Sequence, residues 1–203
     1  ILLVPWPPGA VGAAGVAGPP SVAPNIRAAE AGRAMVAAAN PHATRAGLAM
    51  LRAGGSAVDA AIAVQLVLGL VEPQSSGIGG GGFMMHYDAA KAELSAWDGR
   101  ETAPAAATPD LFLNDEGEPD QFFAALVGGK AVGVPGILRL FEALHARHGK
   151  LPWADLFAPA IKLATEGFEV SPRLNYLIGR IRVLKLFENT RNYFFTAAGS
   201  PLA

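Results

Sequence analysis

Between residues 41 and 73 the apolar positions recur at helical spacing in two runs divided by a pair of glycines. PHATRAGLAMLRAGG (41–55) predicts a helix with Pro41 in its first turn and Gly54-Gly55 at its end. SAVDAAIAVQLVLGLVEP (56–73) predicts a second, with Ser56 as N-cap, Asp59 three residues on in capping-box spacing, and Pro73 as the stop. This second run is apolar on nearly every face, so it belongs in an interior. Past SSGIGGGGF (75–83) the period shortens. The runs 83–87 and 93–98 flank the polar turn DAAKA, which predicts a β-hairpin. Residues 101–122, rich in proline and turn formers, predict a long irregular connection. A short apolar strand is expected at AMVAAANP (34–41), and a short strand with a glycine turn at LVGGKAVGVPG (126–136). GILRLFEALHARHG (136–149) predicts an amphipathic helix with Leu138, Phe141 and Leu144 on one side. Further helices are expected within 150–170 and 171–187. The order is helix pair, hairpin, helices, with no βαβ alternation, which places the chain in the α+β class.

Composition narrows the picture. Of 203 residues, 51% are apolar and 16% charged, as in a core-forming globular chain; the net charge is −1, and the Lys and Arg are scattered. That excludes the basic footprint of a nucleic-acid or membrane-surface binder. The absence of cysteine excludes disulfides, thiolate catalysis and sulfur-ligated zinc. Residues 1–33 read as leader and linker, and residues 34–203 as the folded portion. The opening ILLVPWPPGAVGAAGVAGPP has small residues, Gly15 and Ala17, suited to a signal-peptide cut, but no basic n-region, and Pro5, Pro7 and Pro8 interrupt it. A secretory remnant, which would make the protein periplasmic or secreted, and a plain flexible extension both remain open. No uninterrupted apolar run reaches the roughly 18 residues of a membrane span.

The chemistry-bearing candidates are few. The glycine run 79–82 is not a Walker loop, because Phe83 and Met84 stand where Lys and Ser or Thr are needed. Nor is it a dinucleotide fingerprint, since a helix precedes it and a strand follows, the reverse of the order that aims a helix N-terminus at a pyrophosphate. Close backbone packing is the expected role. Neither G-x-S-x-G nor H-E-x-x-H occurs. His145 and His148, three apart on a helix, could share a metal but read as a solvated face, and NDEGEPD (114–120) reads as a surface turn. The distinctive stretch is DGRETAP (98–104). There Arg100 follows a strand end behind Gly99, between Asp98 and Glu101. Its guanidinium is either solvated or salt-bridged, or offered to a ligand carboxylate, which a planar fork grips through two parallel bonds.

Taken together, NPHATRAGLAMLRAGGSAVDAAIAVQLVLGLVEPQSSGIGGGGFMMHYD, DGRETAPAAATPDLF, GGKAVGVPG and KLPWADLFAPAIKLATEGFEVS resemble the N-terminal part of the γ-glutamyltransferase (γ-glutamyltranspeptidase, glutathione hydrolase) family, over roughly residues 34–175. The resemblance implies an N-terminal-nucleophile hydrolase with a four-layer αββα sandwich, of which this chain would supply part. It implies a precursor that cuts itself into large and small subunits. The small subunit's N-terminal Thr serves as nucleophile, with its own α-amino group as base. It also implies γ-glutamyl substrates such as glutathione, no cofactor or metal, and Arg100 as the residue that binds the substrate's α-carboxylate. The threonines of this chain, Thr44, Thr102, Thr108, Thr165, Thr190 and Thr196, do not lie in the family's T-T-H-like context. The nucleophile is therefore expected in a partner small subunit, and the chain is expected to be a large-subunit fragment without a catalytic residue of its own. Two alternatives keep the fold: a related acylase acting on cephalosporins or poly-γ-glutamate, or a truncated non-catalytic module.

Overall fold

The computed structural model describes residues 29–202, so the expected signal remnant and most of the expected leader lie outside the described residues. Helix α1 (Pro41–Arg52) starts at Asn40, whose side chain accepts from His42 N at 2.9 Å, and carries Pro41 at its first position. Helix α2 (Ala57–Val71) opens on the expected capping box: Ser56 Oγ accepts from Asp59 N and Asp59 Oδ2 accepts from Ser56 N. Its Val58, Ile62, Ala63 and Val67 are fully buried, and α1 and two later helices, α4 (Ile137–His148) and α5 (Ala158–Glu166), all pack on it. An apolar surface all round is thus matched by neighbours on several sides. A polar knot joins the far ends of the pair. Buried Glu72, after α2, accepts from Asn40 Nδ2 at 3.2 Å and from Gln74 Nε2 at 2.6 Å.

Strands β1 (Gly82–Asp88) and β2 (Glu93–Gly99) form the expected hairpin, antiparallel, with Gly82 opposite Gly99 and Asp88 opposite Glu93. Alternation gives the two faces different fates. Met84 and Trp97 turn toward the helices and join the main core. Phe83, Met85, Tyr87 and Leu94, on the other face, are 61–67% exposed. The described residues therefore hold a mixed α and β structure with one two-stranded sheet backed by helices.

Helix α3 (Phe122–Leu126) is a short turn of helix inside the irregular connection. Helix α4 (Ile137–His148) lies where expected, but its buried stripe is Ile137, Leu140, Phe141 and Leu144, whereas Leu138 is 39% exposed. The expectation that Leu138 shares one side with Phe141 and Leu144 is thus corrected. Positions 137, 140/141 and 144 follow the 3.6-residue period, and 138 falls off the stripe. A 3₁₀ turn (Trp153–Phe157) leads into α5 (Ala158–Glu166). The single helix expected over 171–187 is instead α6 (Pro172–Arg180) followed by a 3₁₀ turn (Arg182–Lys185), because Ile181 leaves helical geometry at φ −86°, ψ 84°. Helix α7 (Glu188–Phe194) follows, and with α6 it forms a small second cluster around Leu174, Ile178 and Phe195.

Two expected strands are absent from the described residues. Residues 34–40 are irregular, although Val36 and Ala38 still turn inward, Val36 against Gly47 of α1. In 126–136 only Val134 pairs, in an isolated bridge with Thr102. An alternating apolar pattern makes a strand only where a neighbouring backbone offers a ladder.

Candidate functional site

The site is built at the end of β2. Gly99 makes the last ladder pair, so the Arg100 amide has no strand partner. Asp98 Oδ1 accepts from it at 2.8 Å instead. Two residues on, Thr102 and Val134 exchange backbone hydrogen bonds at 3.3 and 2.9 Å. Arg100 and Glu101 thus bridge the hairpin and the 126–136 segment.

The glycine run sets how closely the neighbouring chain approaches this bridge. A Cβ on Gly81 would stand 2.7 Å from Arg100 Cα and 2.6 Å from Glu101 N, closer than any real Cβ contact. A Cβ on Gly136 would stand 2.8 Å from Arg100 O. None of glycines 77–82 has a positive φ, so close approach, not a left-handed backbone, is what requires glycine here. Gly80 O also accepts from Gly136 N at 3.0 Å and Ile137 N at 3.2 Å, satisfying amides at the start of α4 where no side chain caps the helix. The run packs closely, as expected, but against more than one partner. Gly77 approaches Gly69 of α2, but Gly81 and Gly82 face the Arg100 bridge and Ile137 of α4.

Arg100 is exposed at the rim of an open cleft of about 200 Å³, walled by Pro104, Leu111, Phe112 and Val132. Among the described residues its guanidinium has no ion-pair or hydrogen-bond partner. Lys130, also on the cleft, is held 2.5 Å from Asp120. A free planar fork beside apolar walls suits a carboxylate-bearing ligand with an apolar stem. Thr102 lines the cleft, but no hydrogen bond joins its hydroxyl to a base among the described residues.

The two histidines do not form the solvated face expected of them. His145 Nε2 lies 2.8 Å from Leu151 O and 3.7 Å from Asp59 Oδ1. His148 stacks on His86 of β1, ring centroids 4.0 Å apart, beside Trp97, over which Arg147 sits at 5.2 Å. Burial pushes the His148 pKa down, and the neighbouring His86 and Arg147 lower it further, against Asp88. Sequence reasoning missed His86, which sits mid-strand with no motif around it. The register that puts it opposite Ser95 and the packing of α4 on the sheet bring it to His148. No group of three His, Cys, Asp or Glu among the described residues is placed to hold a metal. The acidic stretch 114–120 is an exposed turn in which Asn114 Oδ1 accepts from Glu116 N and Glu118 N.

Residues 43–203 match the family described as Gamma-glutamyltranspeptidase. The chain is 42% identical over 168 residues to the glutathione hydrolase proenzyme of Bacillus subtilis (strain 168), covering 83% of this chain and 28% of that protein. Among solved structures it resembles the gamma-glutamyltranspeptidase of Helicobacter pylori, with TM-score 0.79 and 32% identity over 87% of this chain and 50% of that one. It also resembles the cephalosporin acylase of Bacillus halodurans, with TM-score 0.59 and 30% identity over 84% of this chain and 33% of that one. The chain spans about a quarter of the length of the curated relatives it matches.

Proposed function

The chain belongs to the gamma-glutamyltranspeptidase family, and from that premise we propose that it supplies the substrate-orienting part of a γ-glutamyl hydrolase and transferase. The reaction opens a γ-glutamyl amide such as that of glutathione through a Thr acyl-enzyme. The glutamyl group then passes to water or to an amine. The nucleophilic Thr and its amino-group base belong to a partner small subunit, and the two subunits together build the αββα sandwich. Arg100 binds the α-carboxylate of the γ-glutamyl group and makes no bond itself.

The observation that carries this reading is the Arg100 guanidinium, without a partner among the described residues, at the mouth of an apolar-walled cleft, on a backbone closely approached at Gly81 and Gly136. An Arg held for structure would face an acid. This one faces open space, where two parallel N–H groups can meet a carboxylate. In the assembled enzyme Arg100→Lys keeps the charge and loses the fork. KM for a γ-glutamyl anilide should rise roughly ten- to a hundredfold, the worth of one charge-assisted hydrogen-bond pair, with kcat little changed. An unchanged KM sinks the role.

The likeness to a cephalosporin acylase favours a second reading, in which the same scaffold accepts a glutaryl group. A glutaryl group is a γ-glutamyl group without its α-amino group, and it keeps the terminal carboxylate that the Arg100 fork would grip. Comparing the hydrolysis rates of a γ-glutamyl anilide and a glutaryl amide separates the two.

A further inference from the structure

We propose that Asp98 is a positioning residue for Arg100, acting through its hydrogen bond to the Arg100 amide and not through its charge. The inference rests on the reading of Arg100 as the carboxylate binder.

Arg100 stands one residue beyond the last ladder pair and two before the Thr102–Val134 bridge, so neither pairing fixes its own peptide. The backbones at Gly81 and Gly136 approach the peptide closely, which limits how far it moves but not how it is rotated. The bond that fixes rotation is Arg100 N to Asp98 Oδ1, 2.8 Å, an Asx turn of the kind Asp makes with the amide two residues on. A long side chain magnifies a small rotation of its backbone, so the guanidinium's place at the cleft depends on this bond.

The charge itself works against the site. Asp98 has no cationic partner among the described residues, and its ladder neighbour is Phe83. A free carboxylate two residues from an Arg that must receive a carboxylate repels the ligand. An acid there is explained by its service as a hydrogen-bond acceptor, a service Asn performs without charge.

The two contributions separate in three variants of the assembled enzyme, assayed with a γ-glutamyl anilide. Asp98→Ala removes the acceptor, and Asp98→Glu keeps the charge but moves the acceptor. Both should raise KM about five- to tenfold, the loss of one local hydrogen bond, with kcat within about twofold. Asp98→Asn keeps the acceptor and should give a KM equal to or below that of the parent. In an Arg100→Lys background, Asp98→Ala should add less than about twofold, because its effect passes through Arg100. Amide hydrogen exchange at Arg100 should accelerate in the Ala and Glu variants and not in Asn, a readout that needs no substrate. An Asn variant as impaired as Ala, or an Ala variant with unchanged KM and exchange, overturns the proposal. Should Arg100→Lys itself leave KM unchanged, the carboxylate-binding role fails. The exchange pattern then still decides whether Asp98 sets the turn.

Discussion

Gly81 and Gly79 stand two residues apart in one run and are used differently. Around Gly79 there is nothing within 4 Å of a would-be Cβ, while at Gly81 the same atom would enter the Arg100–Glu101 backbone. Gly79→Ala should leave urea stability unchanged within about 0.5 kcal/mol. Gly81→Val should lower it by about 1–3 kcal/mol, because neighbouring backbone cannot step aside as a side chain can. A folded Gly81→Val enzyme with a binding defect and full stability would contradict the packing account. Composition marks the whole run but cannot rank its members, since the neighbour that matters lies twenty residues on. Asp59 teaches the same lesson from the other side. Its capping-box bond to Ser56 is legible in the S-x-x-D spacing. Its fully buried Oδ2 also accepts from Lys150 N at 2.9 Å and Leu151 N at 3.2 Å, and no local pattern announces partners more than ninety residues away.

Among the elements, the hairpin and α4 are joined through the His86–His148 stack and the edge of Trp97 on His148. The His148 pKa lies below its usual 6.5 in the fold, first through burial, then through His86 and Arg147, with Lys91 adding slightly and Asp88 opposing. Between that lowered value and about 6.5 the unfolded chain binds more protons at this position than the fold does, so stability rises with pH across the window. The contribution is complete above about pH 6.5 and fades on acidification through the lowered value. Tm should therefore fall between about pH 7.5 and about pH 5.5, and His148→Phe, which keeps a flat ring against His86, should fall less. An equal fall in both proteins would remove His148 as the source. The helices themselves were legible because caps and periods are local: Asn40-Pro41, Ser56 with Asp59, and Ser171, which caps α6, all start helices. The strand expected at 34–41 was not to be had from its pattern, because pairing is a property of two segments.

At the scale of the molecule, the hairpin has one face in the main core and the other bare. Phe83, Met85, Tyr87 and Leu94 form a contiguous apolar surface on that bare face. In the sandwich proposed above, a second sheet covers it. Met85→Lys should then leave the stability of this chain's own core nearly unchanged, within about 0.5 kcal/mol, since the side chain is already in water. The same change should sharply reduce recovery of the two-subunit enzyme, because a Lys on a covered apolar face is costly to desolvate. Normal assembly of the Met85→Lys protein would show that this face is not a subunit interface. No described helix is long and apolar enough to cross a membrane.

The sequence by itself determined the helix pair and its caps, the hairpin, the α+β class, and the resemblance that singled out Arg100, because each depends on spacing within a few residues or on ordered blocks along one chain. The tertiary structure alone decided that Gly81 and Gly136 confine the Arg100 peptide, that Asp98 binds its amide, and that the Arg100 guanidinium has no partner among the described residues. It also turned His145 and His148 inward to different partners. Those outcomes depend on which distant backbones come within 3 Å of one another. The burial of the whole core fixes such contacts, and no local pattern encodes them.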